Sequence, residues 1–429
     1  MNTVQTQSNN LTLSKLIELF EIDNHEYVLP EASRMASLQF LAAGAFPTTR
    51  VEKWKHTSLK PLVENQYSLP TNLSKNYSDI KSVDFGTGLV HKLVFINGIY
   101  QKQLSNIVIG EQLIVDELSA KSAPQNWENQ STSDSVFIHL NIAFANDGIY
   151  VEAPANAALK YPVYIIQMID NEELNPVIHL RNKIVAKKGS SIKIIHQVHS
   201  TGNMPALCNI YTEISTEPNA HLEYNVVQFD LQNVSLVSNL NLQQSRDSKL
   251  ETNTISLSGK LIRNEVVANL NQANAEVQLR GIYMPRNNEH TDNTLQIKHN
   301  APNCQSNQLY KGIIDNVASS TFLGQIYVDR EGQKTNAYQS NKNILLTDTC
   351  RSYSKPQLEI YADDVKCTHG STSGQMDKDM LFYLQTRGIG FENARRLMLI
   401  AFLSDILQAI TIEPLAQWVV NEIHNRLDS

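Results

Sequence analysis

The alternation of hydrophobic and polar positions divides the chain into three stretches. Over residues 1–60 apolar positions recur at helical spacing. Leu11 to Ile22 carries them on one face, and Pro30 opens a second helix running through Phe40 and Leu41 to Gly44. Proline suits a helix start, where its missing N–H leaves nothing unsatisfied, and glycine suits the terminating turn. Residues 60–88 are polar and turn-rich and read as a connector. From about Val90 to Cys367 the period falls to two and strand follows strand, as at Leu93 to Ile96, Tyr161 to Ile169, Ile192 to Ile195 and Thr321 to Val328. After Gly374 helical spacing returns. Helices are expected from about Asp377 to Thr386, stopping at Arg387 and Gly388, from Phe391 to about Ile410, and from Pro414 through Trp418 and Ile423. The expected organisation is a helical region with linker over 1–88, a β core over 89–374 and a helical domain over 375–429.

Within the β region a small or polar turn followed by alternating apolar positions recurs at Ile192, Leu222, Leu250 and Val277. A spacing of 27–30 residues lies in the window of stacked arrays. Apolar residues turned inward, with Asn, Gln, Ser and Thr outward, suit a β-helix whose coils share one interior. Nothing in 150–350 has the long 3.6-residue pattern of crossover helices. A β-sandwich also fits strands broken by frequent turns, and the pattern leaves that choice open.

The densest chemistry lies at the junction of strands and helices, KPQLEIYADDVKCTHGSTSGQMDKDMLFYLQTRGIGFE, residues 355–392. Gln357 to Val365 alternates like a strand. If that strand continues, Cys367 and His369 stand two residues apart and face the same way. Thiol and imidazole are both ligands for soft or borderline metals. Two ligands do not complete a tetrahedral site, so either the pair is structural or a partner supplies the rest. Asp377 is a good N-cap for the helix that follows.

Charge and composition narrow the classes. The 429 residues carry a formal net charge of −7 with both signs interspersed, unlike the basic face of a nucleic-acid binder. The N-terminal MNTVQTQSNN has no apolar core like that of a secretory signal, and no apolar run approaches a membrane span. Cys208, Cys304, Cys350 and Cys367 are scattered without a CxxC pair, which reads as reduced thiols. The first three are isolated, and a small buried thiol is the common fate of such residues. A soluble cytoplasmic protein is expected. The chain has no GxxxxGK[ST] phosphate loop, no GxGxxG after a strand, no GxSxG and no HExxH. His196 and His199, three apart in a strand, tend to face opposite ways and read as structural. Trp54 reads as a packing residue and His56 likewise; Gln339 to Asn343 reads as a polar turn feeding a buried strand, with Lys342 a candidate cation on the surface of His369 or a solvated turn lysine.

The run Lys355 to Ile389 resembles the C-terminal signature of the SufB/SufD family, scaffold subunits of the SUF iron–sulfur cluster assembly complex. KCTHG followed by SxSGQMD is similar to its SufD branch, and the segment around Trp54 to a family stretch in which Pro, Glu and Trp keep these spacings. The resemblance implies a β-helix core and a non-catalytic scaffold. It implies pairing with SufB through the last coils and docking of the ATPase SufC, two copies per complex, on the C-terminal helices. For that contact the segment 377–410 is expected, with Asp377, Leu381, Leu384, Arg387, Gly388 and Phe391. His369 matches the family histidine and Cys367 the nearby cysteine at a transient iron–sulfur cluster shared with SufB. Asp363, Asp364 and Lys366 could orient His369 or tune its charge, and turn residues at a strand end look the same. The family complex is linked to a reduced flavin, for which no motif gives a site. Whether a homodimer forms without SufB stays open. No nucleic-acid or membrane partner is expected. The rival reading, a β-helix acting on carbohydrate, requires a spaced pair of carboxylates that the turns do not supply.

Overall fold

The recurrence at Ile192, Leu222, Leu250 and Val277 is one column of a stacked sheet. Each is paired in register with the next on a parallel strand. The column continues through Ser306 and Ala337 and ends at Cys367. The structure, a computed structural model, describes residues 12–21, 27–70, 77, 80–86, 88–118 and 133–428. Leu11, Ile22, the polar segment 1–10 and parts of the 60–88 connector lie outside the described residues.

From Val163 onward successive strands alternate between a ten-stranded and a nine-stranded sheet, so each coil gives one strand to each. Among the described strands pairing is parallel, except where Ile99–Tyr100 and Ile114–Glu117 pair antiparallel at the N-terminal end, where an isolated bridge from Lys92 to Asn106 is antiparallel as well. That register makes the core a two-sided β-solenoid and removes the sandwich. The inner faces bury one long apolar cluster, from Leu93 and Val151 through Ile210, Leu236 and Leu279 to Phe322. Inward apolar residues are the rule in the early coils. In the last coils the inner row turns polar, with Gln308, Gln339, Asn341 and Asn343 all buried. Gln339 to Asn343 accordingly lies inside the strand Asn336–Leu345 and is not the turn its polarity suggested.

The bends repeat too. Asn156, Gly189, Asn219, Asp247, Asn274, Asn303 and Lys334 all adopt positive φ, the left-handed region that Gly and Asn tolerate best. Each donates its backbone N–H to a carbonyl of the next coil: Lys188 from Asn156, Pro218 from Gly189, and so on to Asp364 from Lys334. Their side chains stack as well, as where Asn274 donates to Asp247 at 2.7 Å.

Among the described residues seven α-helices accompany the solenoid: α1 (Leu13–Glu21), α2 (Glu31–Ala43), α3 (Lys60–Val63), α4 (Val136–Phe144), α5 (Lys378–Thr386), α6 (Phe391–Leu407) and α7 (Glu413–Asp428). α4 falls where strands were expected. VFIHLNIAF is apolar on nearly every side, so periodicity could not separate a buried helix from a strand. With α1 it packs on the outer face of the nine-stranded sheet, against Leu207, Val237 and Leu261. α6 and α7 cover the outer face of the ten-stranded sheet through Leu399, Leu403, Leu415 and Val419 against Val227, Ile255 and Ile282. Polar pins hold both covers. Lys311 donates to the Asp405 carboxylate and the Phe402 carbonyl, each at 2.6 Å. Arg263, paired with Asp292 and Glu265, lies 3.8 Å over the Trp54 ring while Thr57 donates to Asp292. Trp54 is thus the packing residue expected. His56, on the surface, stacks on Tyr353 at 4.0 Å. Among the described residues no helix is long and apolar enough to cross a membrane.

Candidate functional site

The site residues sit on the last coil, where the solenoid stops. The strand Arg351–Ile360 ends the nine-stranded sheet and Lys366–Gly374 ends the ten-stranded sheet, each with one neighbour among the described strands. Gln357 to Val365 is therefore not continuous with Cys367. The strand stops at Ile360, and 361–365 turns the chain into the opposite sheet. Asp363 and Asp364 make that turn. The Asp364 carbonyl accepts the Lys334 N–H at 2.6 Å and its own N–H donates to Gln333 Oε1 at 3.1 Å. Asp364 is thus the last rung of the turn ladder.

Along Lys366–Gly374 alternate residues face inward. Cys367 pairs with Ala337, His369 with Gln339, Ser371 with Asn341 and Ser373 with Asn343, all on the inner row. Cys367 and His369 therefore share a face, as the two-residue spacing predicted. Cys367 is half-buried against Ala337, Ile326 and Leu358, and burial pushes its thiol above the usual range. His369 is exposed at the open end. Lys366 alternates to the outer face, away from His369. So does Lys342, which pairs with Thr372 and does not share the surface of His369. Asp363 and Asp364 stay at the turn, before the strand that carries His369 begins.

Below the open end the inner row is a hydrogen-bonded floor. Tyr283 donates to Asn343 Oδ1 at 2.6 Å, Asn341 Nδ2 donates to the Tyr283 hydroxyl at 2.8 Å, and Asn343 Nδ2 donates to Ser373 Oγ at 3.2 Å. The remaining candidates are buried and structural. His196 faces inward beside the Tyr224 hydroxyl at 2.7 Å, while His199 faces outward, stacked on Phe229. Burial lowers both to about 4. Cys208, Cys304 and Cys350 are buried in the interior cluster. Among the described residues no group of three or more His, Cys, Asp or Glu could hold a metal ion by itself.

The helices after the last strand form a second surface. Asp377 caps α5, its carboxylate accepting the N–H of Asp379 and of Met380. Gly388, at φ +84, ends the helix: its N–H reaches the Gln385 carbonyl and that of Ile389 reaches Leu384. Only a residue at ease in the left-handed region closes both bonds. Leu381 and Leu384 are half-buried, and Arg387 lies over the Tyr383 ring. The large apolar residues most open to solvent here are Phe382 at 68 %, Tyr383 at 51 % and Met380 at 49 %, none of them among the expected contacts, with Leu397 and the expected Phe391 similarly open. Run together as MLFY, they carry a signal in sequence, because no single helical face can bury four consecutive apolar residues. A cleft of about 760 Å³ between α5, α6 and the turn at Leu346 to Asp348 is lined by Leu381, Met376 and Phe391.

Comparison with known proteins bears on both surfaces. The family profile described as "SUF system FeS cluster assembly, SufBD core domain" matches residues 167–402, and "SufBD protein N-terminal region" matches 14–165. The iron–sulfur cluster assembly protein SufD of Escherichia coli is 29 % identical over 91 % of this chain and 91 % of its own. SufD of Bacillus subtilis is 27 % identical over 67 % of this chain and 66 % of its own. With the core profile alone spanning more than half of the residues, and both profiles meeting on one solenoid, the chain belongs to the SufBD family of iron–sulfur cluster assembly proteins.

Proposed function

We propose that this chain is a non-catalytic scaffold subunit of a cytoplasmic SUF complex, pairing with a SufB-like protein and docking a SufC-like ATPase. The observation that carries it is the position of His369: exposed, on the inner row, at a solenoid end where both terminal strands keep an unpaired edge. An open strand edge is a template for further pairing, and proteins cover or blunt such edges when they are not used. A second solenoid joining there would continue both sheets and enclose His369 and Cys367 at the seam.

The donor set fits a shared cargo. Cys367 and His369 give one sulfur and one nitrogen, two short of a four-ligand set, so the partner supplies the others. Imidazole in place of a thiolate leaves a nascent cluster less firmly held, which suits transfer. Until the partner arrives the Cys367 thiol is kept protonated by burial, and the exposed imidazole is the first donor offered. The apolar residues Phe382, Tyr383 and Met380 on α5, with the cleft beside Leu381 and Phe391, suit docking of the ATPase. Its movement would pull on a helix only a short link from the last strand.

The test is anaerobic co-expression with SufB-like and SufC-like proteins, comparing wild type with His369→Ala. Both are expected to assemble on a sizing column, with iron, sulfide and the visible absorption lost only in the variant. Equal cluster in both returns His369 to a surface role, and failure of wild type to bind either partner removes the scaffold reading.

A further inference from the structure

Directly beneath His369 lies a side-chain amide with only one of its two polar atoms paired. Gln339, its register partner on the adjacent strand, is only 3 % exposed. Its amide nitrogen donates to the Gly324 carbonyl at 3.3 Å, but its Oε1 is buried without a hydrogen-bond partner among the described residues. A buried amide acceptor left unpaired costs about 1–3 kcal/mol, so such atoms call for an explanation. The placement is built. Gly324 stands opposite on the other sheet, and a Cβ there would lie 2.2 Å from the Gln339 amide nitrogen. Glycine at 324 is what lets Gln339 reach across the interior.

Four residues along the same strand pair, on the same face, the equivalent contact is made. Asn343 on the inner strand bonds Ser373, its register partner on the terminal strand, at 3.2 Å. Gln339 and His369 stand in that same relation. Neighbouring strands lie about 4.8 Å apart, so side chains paired on one face are within reach of each other after a rotamer adjustment. The His369 imidazole makes no hydrogen bond among the described residues.

We propose that Gln339 is a positioning residue for His369: its Oε1 accepts one imidazole N–H, selects a single tautomer and turns the other ring nitrogen out of the open end. A histidine ligand is commonly fixed by a bond from its second nitrogen to a carbonyl or carboxylate, which sets both ring orientation and basicity. The amide is held at its far end by Gly324, so it acts as a fixed strut. The consequence for the cluster rests on the function proposed above, but the tautomer itself does not.

The test uses the full chain alone, labelled with nitrogen-15, and reads the His369 tautomer by long-range proton–nitrogen spectra at pH 8, with His369→Ala to assign the ring. Wild type is expected to show one tautomer. Gln339→Leu is expected to show the mixture of a free imidazole, and Gln339→Glu, which keeps an acceptor, to restore one form. A mixture in wild type, or one unchanged tautomer in Gln339→Leu, overturns the proposal. Should Gln339→Leu not fold, the wild-type spectrum alone decides. A cluster that survives in His369→Ala removes His369 from the proposed cluster site and leaves this assignment standing.

Discussion

At the scale of the residue, the solenoid shows what each bend requires by repeating it. Asn, Asp or Gly fills the left-handed position in every coil of the turn ladder except the last, where Lys334 takes it at φ +60. A side chain with no local polar contact to offer is strained there by about 1 kcal/mol. Lys334→Asn is therefore expected to raise stability by about 0.5–1 kcal/mol, read as a higher urea midpoint with unchanged slope. No shift would mean that the terminal turn relaxes its own strain. Individual residues were unevenly legible in the sequence. Cys367 and His369 could be placed on one face from spacing alone, because strand geometry has period two whatever the fold. Lys342 and Lys366 needed the register, since nothing in a polar run says which residues face inward. Gln339 was hidden for the same reason: polarity normally marks the outside of a strand, and here it marks an interior beginning to open.

At the scale of elements, α5 presents an unusual combination. It is firmly capped at Asp377 and Gly388, yet it buries no residue fully. The caps hold the helix in shape while its apolar side chains stay open to solvent. Replacing Phe382 and Tyr383 by Glu and Ser is expected to leave the melting temperature within about 1–2 °C, because exposed substitutions seldom move stability. The same change is expected to weaken capture of the SufC-like ATPase at least tenfold in a pull-down titration, with pairing to the SufB-like protein retained. Undiminished ATPase binding would move the contact to another face. The C-terminal helices were legible to within about three residues, because caps and apolar spacing agree, whereas the short α3 lies in what the sequence reads as a connector. α4 was not, since a short segment apolar all round carries no period to read.

At the scale of the whole molecule, burial sets the response to acid. His179 is held near 3, and His196, His199, His290 and His299 near 4, each because burial disfavours the charged ring. The unfolded chain takes up those protons near 6.5 and the folded chain does not. The stabilisation is therefore full above that pH and is lost progressively as pH falls toward 4. Asp147, raised to about 6 by burial, and Glu289, also raised by burial, work the other way but are outnumbered by the histidines. The melting temperature is expected to fall progressively between pH 6.5 and 4.5. A flat profile would show that these histidines are not neutral and buried together.

The column that begins at Ile192 and ends at Cys367 gives the protein a phase as well as a length. Adding or removing a whole coil returns every later residue to the face it had. Adding or removing one residue within a terminal strand exchanges the inner row for the outer, and His369 would then face solvent on the side of the helices. Insertions in this architecture are thus quantised. The distance of the site from the N-terminus can drift by about thirty residues at a time without consequence, whereas the parity of the last strand cannot change at all.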